Sequence, residues 1–586
     1  MRMNILKYHA FIILAAIYAL GCSEEFIEFE PIAKDTDITF YATFDNVDMT
    51  VTAAYARFTY NGYAHYTLLN GQSACDDMSV GGSDATDGAE WKEIAKLSHS
   101  AGNVALDLPF SQNYKAIRLA NTALQYLPNF IEDEPLAKQR VAEMRFLRAY
   151  FHFELLKLHG GVPIVDHVLG PEEFYPQRNS VAEVLHFIQE DLVAAIPDLK
   201  FRSALGPDNV GRASKGAAQT LLARAYLYES SYAKYHTNEI FAGCEEKFDL
   251  ALEQAENVIS SGEYKLIGID GQRFASYWSE KYNPVPGDST IGAFRYLFSI
   301  DGDNSSEGVF EVQHSMDGRG WSQSTGNGLV IFMTCRFTEA NPSNWHGWGY
   351  NNPTGYLLKA FKNEDTRETD MSAENLEVYT NQRADPRFGT TCGLPGDLML
   401  TVVGLQLGGT PVWSPMKLDN VPTETCGRKY EDHPLESIFN LSKVANEAGA
   451  SNWKLLRYAD VILMAAEAAF ETGNNDRALE LVNRVRTRAR LSNNDPRPEN
   501  QIYPKNLSSV TFGDIMHERR LEFAGEMSRY FDLVRWNKTA QFINGIERED
   551  TPGHPLVYQE PKHYFLPFPE NQVQLSKGTL VQYSGW

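Results

Sequence analysis

Cysteine is scarce in this chain, six among 586 residues, and no CxxC or Cys/His pair has metal-site spacing. That excludes a zinc ribbon and a thioredoxin-type redox centre. Positive charge is also short: 53 Lys and Arg face 76 Asp and Glu, for a formal net charge of -23. Such a surface repels nucleic acid and favours neutral ligands or basic partners. After residue 22 no stretch approaches the roughly 20 apolar residues of a transmembrane helix. No EF-hand spacing and no hydrolase motif is found, and no cofactor is called for.

The first 22 residues, MRMNILKYHAFIILAAIYALGC, are a processing signal. Arg2 and Lys7 form a basic start, residues 10–20 form an apolar run too short to span a bilayer, and Gly21-Cys22 closes it. This predicts export and acylation of Cys22, with the lipid chains tethering the mature protein to a membrane. The alternative is a secreted protein whose first cysteine is incidental. With Cys22 acylated, five cysteines remain and at least one is a free thiol.

The rest of the chain divides by texture. Residues 143–165, EMRFLRAYFHFELLKLHGGVPIV, place Met144, Leu147, Phe151, Leu155 and Leu158 on one helical face and Phe146, Tyr150 and Phe153 on another. A helix apolar on two sides is sandwiched between neighbours. Gly160-Gly161 ends it and Pro163 prevents resumption. Residues 211–228 are alanine-rich with aromatic knobs, and residues 248–259 put Ala251, Ala255 and Val258 on one face. Residues 455–491 repeat the pairing: Ala465, Ala466, Ala468 and Ala469, a turn at 473–475, then Ala478, Leu479, Val482 and Val485. Small residues, a turn and an Ala-Leu-x2-Val helix are a tetratricopeptide-like pair. The predicted fold is mainly α, a helical repeat scaffold with a large loop-rich insertion containing short strands. The predicted division is a signal peptide (1–21), an anchored linker (22–44), a helical repeat region (45–264), a loop-rich ligand-binding insertion (265–440) and a C-terminal region with a helix pair and irregular tail (441–586).

Segments along nearly the whole chain resemble the SusD/RagB family of outer-membrane nutrient-binding lipoproteins of the Bacteroidetes. They are the signal with Cys22, residues 143–165 and 211–228, SSEGVFEVQ at 305–313, DPRF at 385–388, LLRYADVILMAAEA at 455–468, HERRLEFAGEMSRYFDLVRW at 517–536 and FLPFPENQVQLSKG at 565–578. The resemblance implies a non-catalytic, surface-exposed, lipid-anchored lid over a TonB-dependent barrel (SusC-like) that imports oligosaccharide. Within 517–536, Leu521, Ala524, Met527, Phe531 and Val534 make one apolar stripe, and Arg519/Glu522, Glu526/Arg529 and Asp532/Arg535 are i,i+3 pairs. Glu518 and Glu522 therefore read as scaffold rather than as an acid/base pair.

Ligand candidates lie on loops. Trp278, Trp321, Trp345, Trp348 and Trp413 sit among Gly, Asn and Pro, where an indole face can stack on a sugar ring. The segment 343–353, SNWHGWGYNNP, adds Tyr350. A second candidate, 72–91, carries Asp76, Asp77, Asp84, Asp87 and Trp91; its carboxylates suit vicinal hydroxyls, with a solvated loop or a structural calcium ion as alternatives. Asp301-Gly302-Asp303-Asn304 reads as a turn before the strand GVFEVQ. Arg428 and Tyr430 add a charged donor and a further ring. Two other functions compete with oligosaccharide capture. One is peptide binding on the same architecture, which the Trp/Asn-rich insertion disfavours. The other is a glycoside hydrolase, which needs two flanking carboxylates.

Overall fold

In the computed structural model the described residues are 37–586, except 61, 85, 273, 276–289, 316–325, 335–347, 363–384, 394–397, 404–409, 416–424, 431–448, 492–501 and 549. Residues 1–47 form one unit and 48–586 a second. The described part of the first contains the four-residue helix Asp37–Phe40.

The second unit is built on a run of helices, each packed on the next. These are α1 (Asp107–Tyr126), α2 (Ala137–His159), α3 (Val181–Ala195), α4 (Lys215–Tyr235), α5 (Phe248–Ser260), α6 (Tyr458–Glu471) and α7 (Asn475–Leu491). The contact of α5 with α6 joins helices separated by residues 261–457, so the repeat is continuous in space and interrupted in sequence. α2 lies between α1 and α3 and buries Met144, Phe146, Leu147, Phe151 and Phe153 completely, as its two apolar faces require. Ala465, Ala466, Ala468 and Ala469 of α6 are also fully buried, which lets its backbone approach α5 and α7 closely.

Local chemistry sets the helix ends. Ser180 and Glu183 form a capping box at α3, and Ser214 Oγ caps α4 by accepting from Ala217 N at 3.2 Å. Gly160 ends α2 at φ +72°, where a Cβ would stand 2.6 Å from the Phe565 ring. Gly473, at φ +81°, makes the turn between α6 and α7.

The strands are short and paired in twos. β1 (Met78–Gly81) runs antiparallel to β3 (Tyr350–Pro353), with Met78 opposite Pro353 and Gly81 opposite Tyr350. β2 (Gly308–Val312) pairs with β4 (Trp453–Arg457), which leads directly into α6. A hairpin joins Leu398–Val403 to Thr410–Pro415. The expected turn before β2 is present, and Asp303 within it accepts from Asn452 N and from Lys454 Nζ at 2.9 Å. Cys75 and Cys244 are free thiols, and Cys426 is disulfide-bonded.

The segment 517–536 departs from expectation. It is two helices, α8 (Phe512–Glu522) and α9 (Arg529–Arg535), broken near Gly525 at φ +81°. The single stripe from Leu521 to Val534 therefore does not form on one helix. Of the three expected i,i+3 pairs, Asp532–Arg535 is present at 2.9 Å. Arg519 instead meets Asp460 and Asp532, while Arg529 meets Asp76. Glu522 is fully buried and accepts from Arg457 Nη1 at 3.0 Å, Arg387 Nη1 at 3.0 Å and Arg488 Nη2. Glu518 takes Arg387 at 2.7 Å and Arg486 at 3.1 Å. The scaffold reading of these glutamates holds, but their partners are distant in sequence rather than one turn away.

Burial opposes ionisation of Glu522, yet Arg488, Arg457, Arg387 and Lys429 hold its carboxyl well below the usual range. A depressed folded value contributes stability above the unfolded value of about 4.3, and loses it as pH falls toward the folded value. Glu522→Gln is expected to lose about 3 kcal/mol at pH 7, because three buried guanidiniums are left short of charge. Urea unfolding measures the loss, and the gap between variant and wild type narrows below about pH 4.

Candidate functional site

Two segments meet at the β1–β3 pair. The chain leaves β1 through Gly81 and Gly82 at φ +78° and +85°. A Cβ on Gly81 would stand 1.9 Å from the Gly349 carbonyl, so the close approach requires glycine. The loop that follows closes on itself. Asp87 Oδ2 accepts from Ser83 N at 2.7 Å and Ser83 Oγ at 2.9 Å. Lys92 Nζ donates to the carbonyls of Asp84 and Asp87. Asp87 Oδ1 accepts from the Tyr350 hydroxyl at 2.5 Å, tying the loop to β3. Partial burial works against the Asp87 charge, but the Tyr350 and Ser83 donors lower its pKa below the ordinary value.

Aromatic rings fill the space beneath. Trp91 packs edge-on to Tyr350 at 5.5 Å between centroids and to Tyr66 at 4.8 Å. Phe332 lies against Tyr350 at 5.7 Å, Trp348 at 4.5 Å and His65 at 3.4 Å, nearly parallel to the last. Trp348 is fixed by its own backbone, whose N–H donates to the Ile331 carbonyl at 2.7 Å. Burial lowers the His65 pKa to about 3, so it acts here as a neutral flat ring. Trp91, Phe332, Tyr350 and His65 are buried; Tyr66, Trp348 and Asp87 are half-exposed. The result is a rigid ring cluster with two aromatic side chains and a carboxylate at its rim.

Two family models match in sequence. One is described as the SusD family, over residues 306–586, and the other as starch-binding associating with outer membrane, over residues 25–227. The chain belongs to the SusD-like family. A SusD-like protein P2 of Formosa agariphila is 23% identical, covering 99% of this chain and 100% of its own. Among solved structures, a SusD-like protein of Bacteroides fragilis superposes with a TM-score of 0.69 at 23% identity, covering 94% of this chain and 99% of that one. A laminarin-binding SusD-like protein gives 0.64 at 24%, covering 92% and 99%. The surface glycan-binding protein A of Bacteroides thetaiotaomicron in complex with laminarihexaose gives 0.66 at 20%, covering 92% and 99%. These structures share this chain's mainly helical SusD-like fold.

In this SusD-like chain the cluster unites Asp87, Trp91, Trp348 and Tyr350 among the residues expected from sequence. Asp76 and Asp77 stand elsewhere: both are buried, and their carboxylates are held by Arg520 at 2.9 and 2.5 Å, with Arg529 on Asp76 at 2.9 Å. Burial opposes the Asp76 charge, but Arg520 and Arg529 bring its pKa down to about 2. These two aspartates anchor the start of β1 and present no free face to ligand hydroxyls or to a calcium ion. Arg428 is half-exposed beside the two-residue strand Cys426–Gly427, which packs on β3, and Tyr430 is buried. Trp413 lies opposite Leu400 in the hairpin. Trp278, Trp321, Trp345 and Cys22 lie outside the described residues.

Sequence reasoning missed His65, Tyr66 and Phe332. They lie on the helices Tyr63–Gln72 and Gly328–Met333, where an aromatic carries no mark of its own. The Asp87–Tyr350 bond is expected to couple the two sides of the site. A double-mutant cycle of Asp87→Ala with Tyr350→Phe should show about 1 kcal/mol of coupling in urea unfolding; strictly additive losses contradict the link.

Proposed function

We propose that this protein is a non-catalytic oligosaccharide-binding lipoprotein of the outer-membrane surface, anchored through Cys22, which passes glycan to a SusC-like TonB-dependent transporter. The observation that carries the binding part is the rim of the ring cluster. Trp348 and Tyr66 are half-exposed and are backed by the buried rings of Phe332 and Trp91, and both of those rings also meet Tyr350, which fixes the Asp87 carboxylate. Rigid aromatics give large contact area at low entropy cost, and a pyranose presents an apolar C–H face to match. The laminarin and laminarihexaose named for two of the structural neighbours make β-glucans the first probes. A family description that speaks of starch makes α-glucans the second.

The non-catalytic part is supported by the state of the nearby acidic residues. Asp76, Asp77, Glu518 and Glu522 are each held in ion pairs with arginines, and Asp87 is committed to Tyr350 and Ser83. None is poised as a flanking acid or base. The anchoring part rests on the signal and Cys22 in the sequence.

Isothermal titration against laminarihexaose, maltohexaose and a wider oligosaccharide panel tests the binding. At least one glycan should bind, and Trp348→Ala should weaken it about tenfold or more, equal to about 1.4 kcal/mol. Failure of every glycan, or binding of peptides alone, rejects the reading. Cys22→Ala is expected to move the protein from the membrane to the soluble fraction on cell fractionation.

A further inference from the structure

A second opening lies on the other strand pair. A cleft of about 170 Å³ separates the stretch before α4 from β2. Arg202, Leu205, Val210 and Arg212 form one wall, and Asn304 and Phe310 lie on the other. Its shape comes from backbone close approach. Gly211 sits at φ +84°, and a Cβ there would stand 2.3 Å from Gln313 Cγ. An apolar cavity of about 150 Å³ accommodates benzene, so the space suits a single sugar ring.

The charge in this cleft is unusual for so acidic a chain. Arg202 is half-buried and fixed, with Nη1 donating to the Ser305 carbonyl at 2.8 Å and Nη2 to the Asn304 carbonyl. Its guanidinium also lies 5.9 Å from the Tyr264 ring. Carbonyl oxygens orient the group without neutralising it, and among the described residues it has no carboxylate partner. Arg212 adds a second guanidinium, which shares Glu143 at 2.9 Å with Arg140. Glu311 also lines the cleft: its Oε2 accepts from Asn304 N at 2.9 Å and Asn452 Nδ2 at 3.0 Å, with Lys454 at 3.8 Å, while its buried Oε1 has no hydrogen-bond partner among the described residues. Beside these charges Val210 leaves half its surface exposed. Arg212 also meets Asp48 at 3.9 Å, so Arg202 is the guanidinium whose field a narrow cleft focuses, even where the net charge is -23.

We propose that this cleft binds the carboxylate or sulfate ester of an acidic sugar residue. The guanidinium of Arg202 faces the anion, Arg212 reinforces it, and Leu205 and Val210 cover the apolar face of the ring. A planar, pre-oriented guanidinium matches either oxyanion. The site is built on β2 and is separate from the aromatic cluster on β1 and β3. Its anion-binding part stands without the glycan-binding reading, whereas the choice of a sugar as carrier rests on it.

The test uses the full chain with glucuronic acid and glucose 6-sulfate as probes, followed by ligand-observed NMR and titration calorimetry. At least one should bind, with methyl glucuronate and glucose about tenfold weaker or silent. Arg202→Gln should abolish binding and Arg202→Lys should retain part of it. Because Arg202 also braces 304–305, Val210→Glu provides the second arm: it places a negative charge at the mouth and should abolish binding in a folded protein. Trp348→Ala should change nothing here. The proposal is overturned if neither probe binds, if the methyl ester binds as well as the acid, or if Val210→Glu binds normally. It is also overturned if inorganic sulfate binds as tightly as the sugars, leaving an adventitious ion only. If neutral oligosaccharides fail at the aromatic cluster while glucuronate binds here, the function proposed above falls and this one stands.

Discussion

The structure depends on one buried carboxylate, Glu522. Three guanidiniums converge on it from separate parts of the chain: Arg387 from the insertion, Arg457 from the end of β4 and Arg488 from α7. Glu307, just before β2, joins by accepting from Arg457 at 2.9 Å and Arg488 at 3.0 Å. Lys429 closes the far side, donating to the Glu522 and Ala524 carbonyls and to Glu526. Each ion loses its hydration, so such a network gives less net stability than its Coulomb energy suggests. Its consequence is geometric. The partners fit in one arrangement only, and removing any one strands the others. Among the described residues, this lattice ties Arg387 and Lys429, which fall between α5 and α6 in sequence, to α8, β4 and α7.

The same logic reaches the ring cluster by a second set of arginines. Arg520 and Arg529, on and after α8, clamp Asp76. Arg548, almost wholly buried, donates to the carbonyls of Ser73, Cys75 and Met78 through Nη1 and to Ala95 through Nη2. One side chain therefore spans both ends of the segment that carries β1 and the 82–88 loop. The loop's own hydrogen bonds would not position Trp91 and Asp87 against Tyr350 unless these ends were held. The exposed part of the site owes its rigidity to charged residues that never touch it.

Sequence made the helical array legible because repeated packing imposes a repeated pattern. The two apolar faces of 143–165 and the alanines of 465–469 require neighbours on two sides whatever those neighbours are. Charge carries no such mark. Arg519, Glu526 and Arg529 look the same on a solvated face as in a buried lattice, so they read as one-turn pairs when their partners lie far along the chain. Asp76 and Asp77 were misleading for the same reason: a Gly-rich, polar neighbourhood suggested a solvated loop, and two arginines some 450 positions later in sequence made it an anchor. Trp348 reads as a candidate because it sits in a segment without periodicity. Tyr66 and Phe332 do not, because helical aromatics belong to a core until a tertiary contact leaves one of them at the rim.

The ring cluster includes a buried histidine. His65 stacks on Phe332 and remains uncharged because burial lowers its pKa to about 3. A folded value below the unfolded one of about 6.5 means that acid favours the unfolded chain, since only there does the imidazole take a proton readily. Acidification through that range therefore draws on stability and leaves the charge of the cluster unchanged. The rim carboxylate behaves likewise, because Tyr350 and Ser83 keep Asp87 ionised below the ordinary carboxylate range. His65 thus stays neutral and Asp87 stays ionised across mildly acidic and neutral conditions.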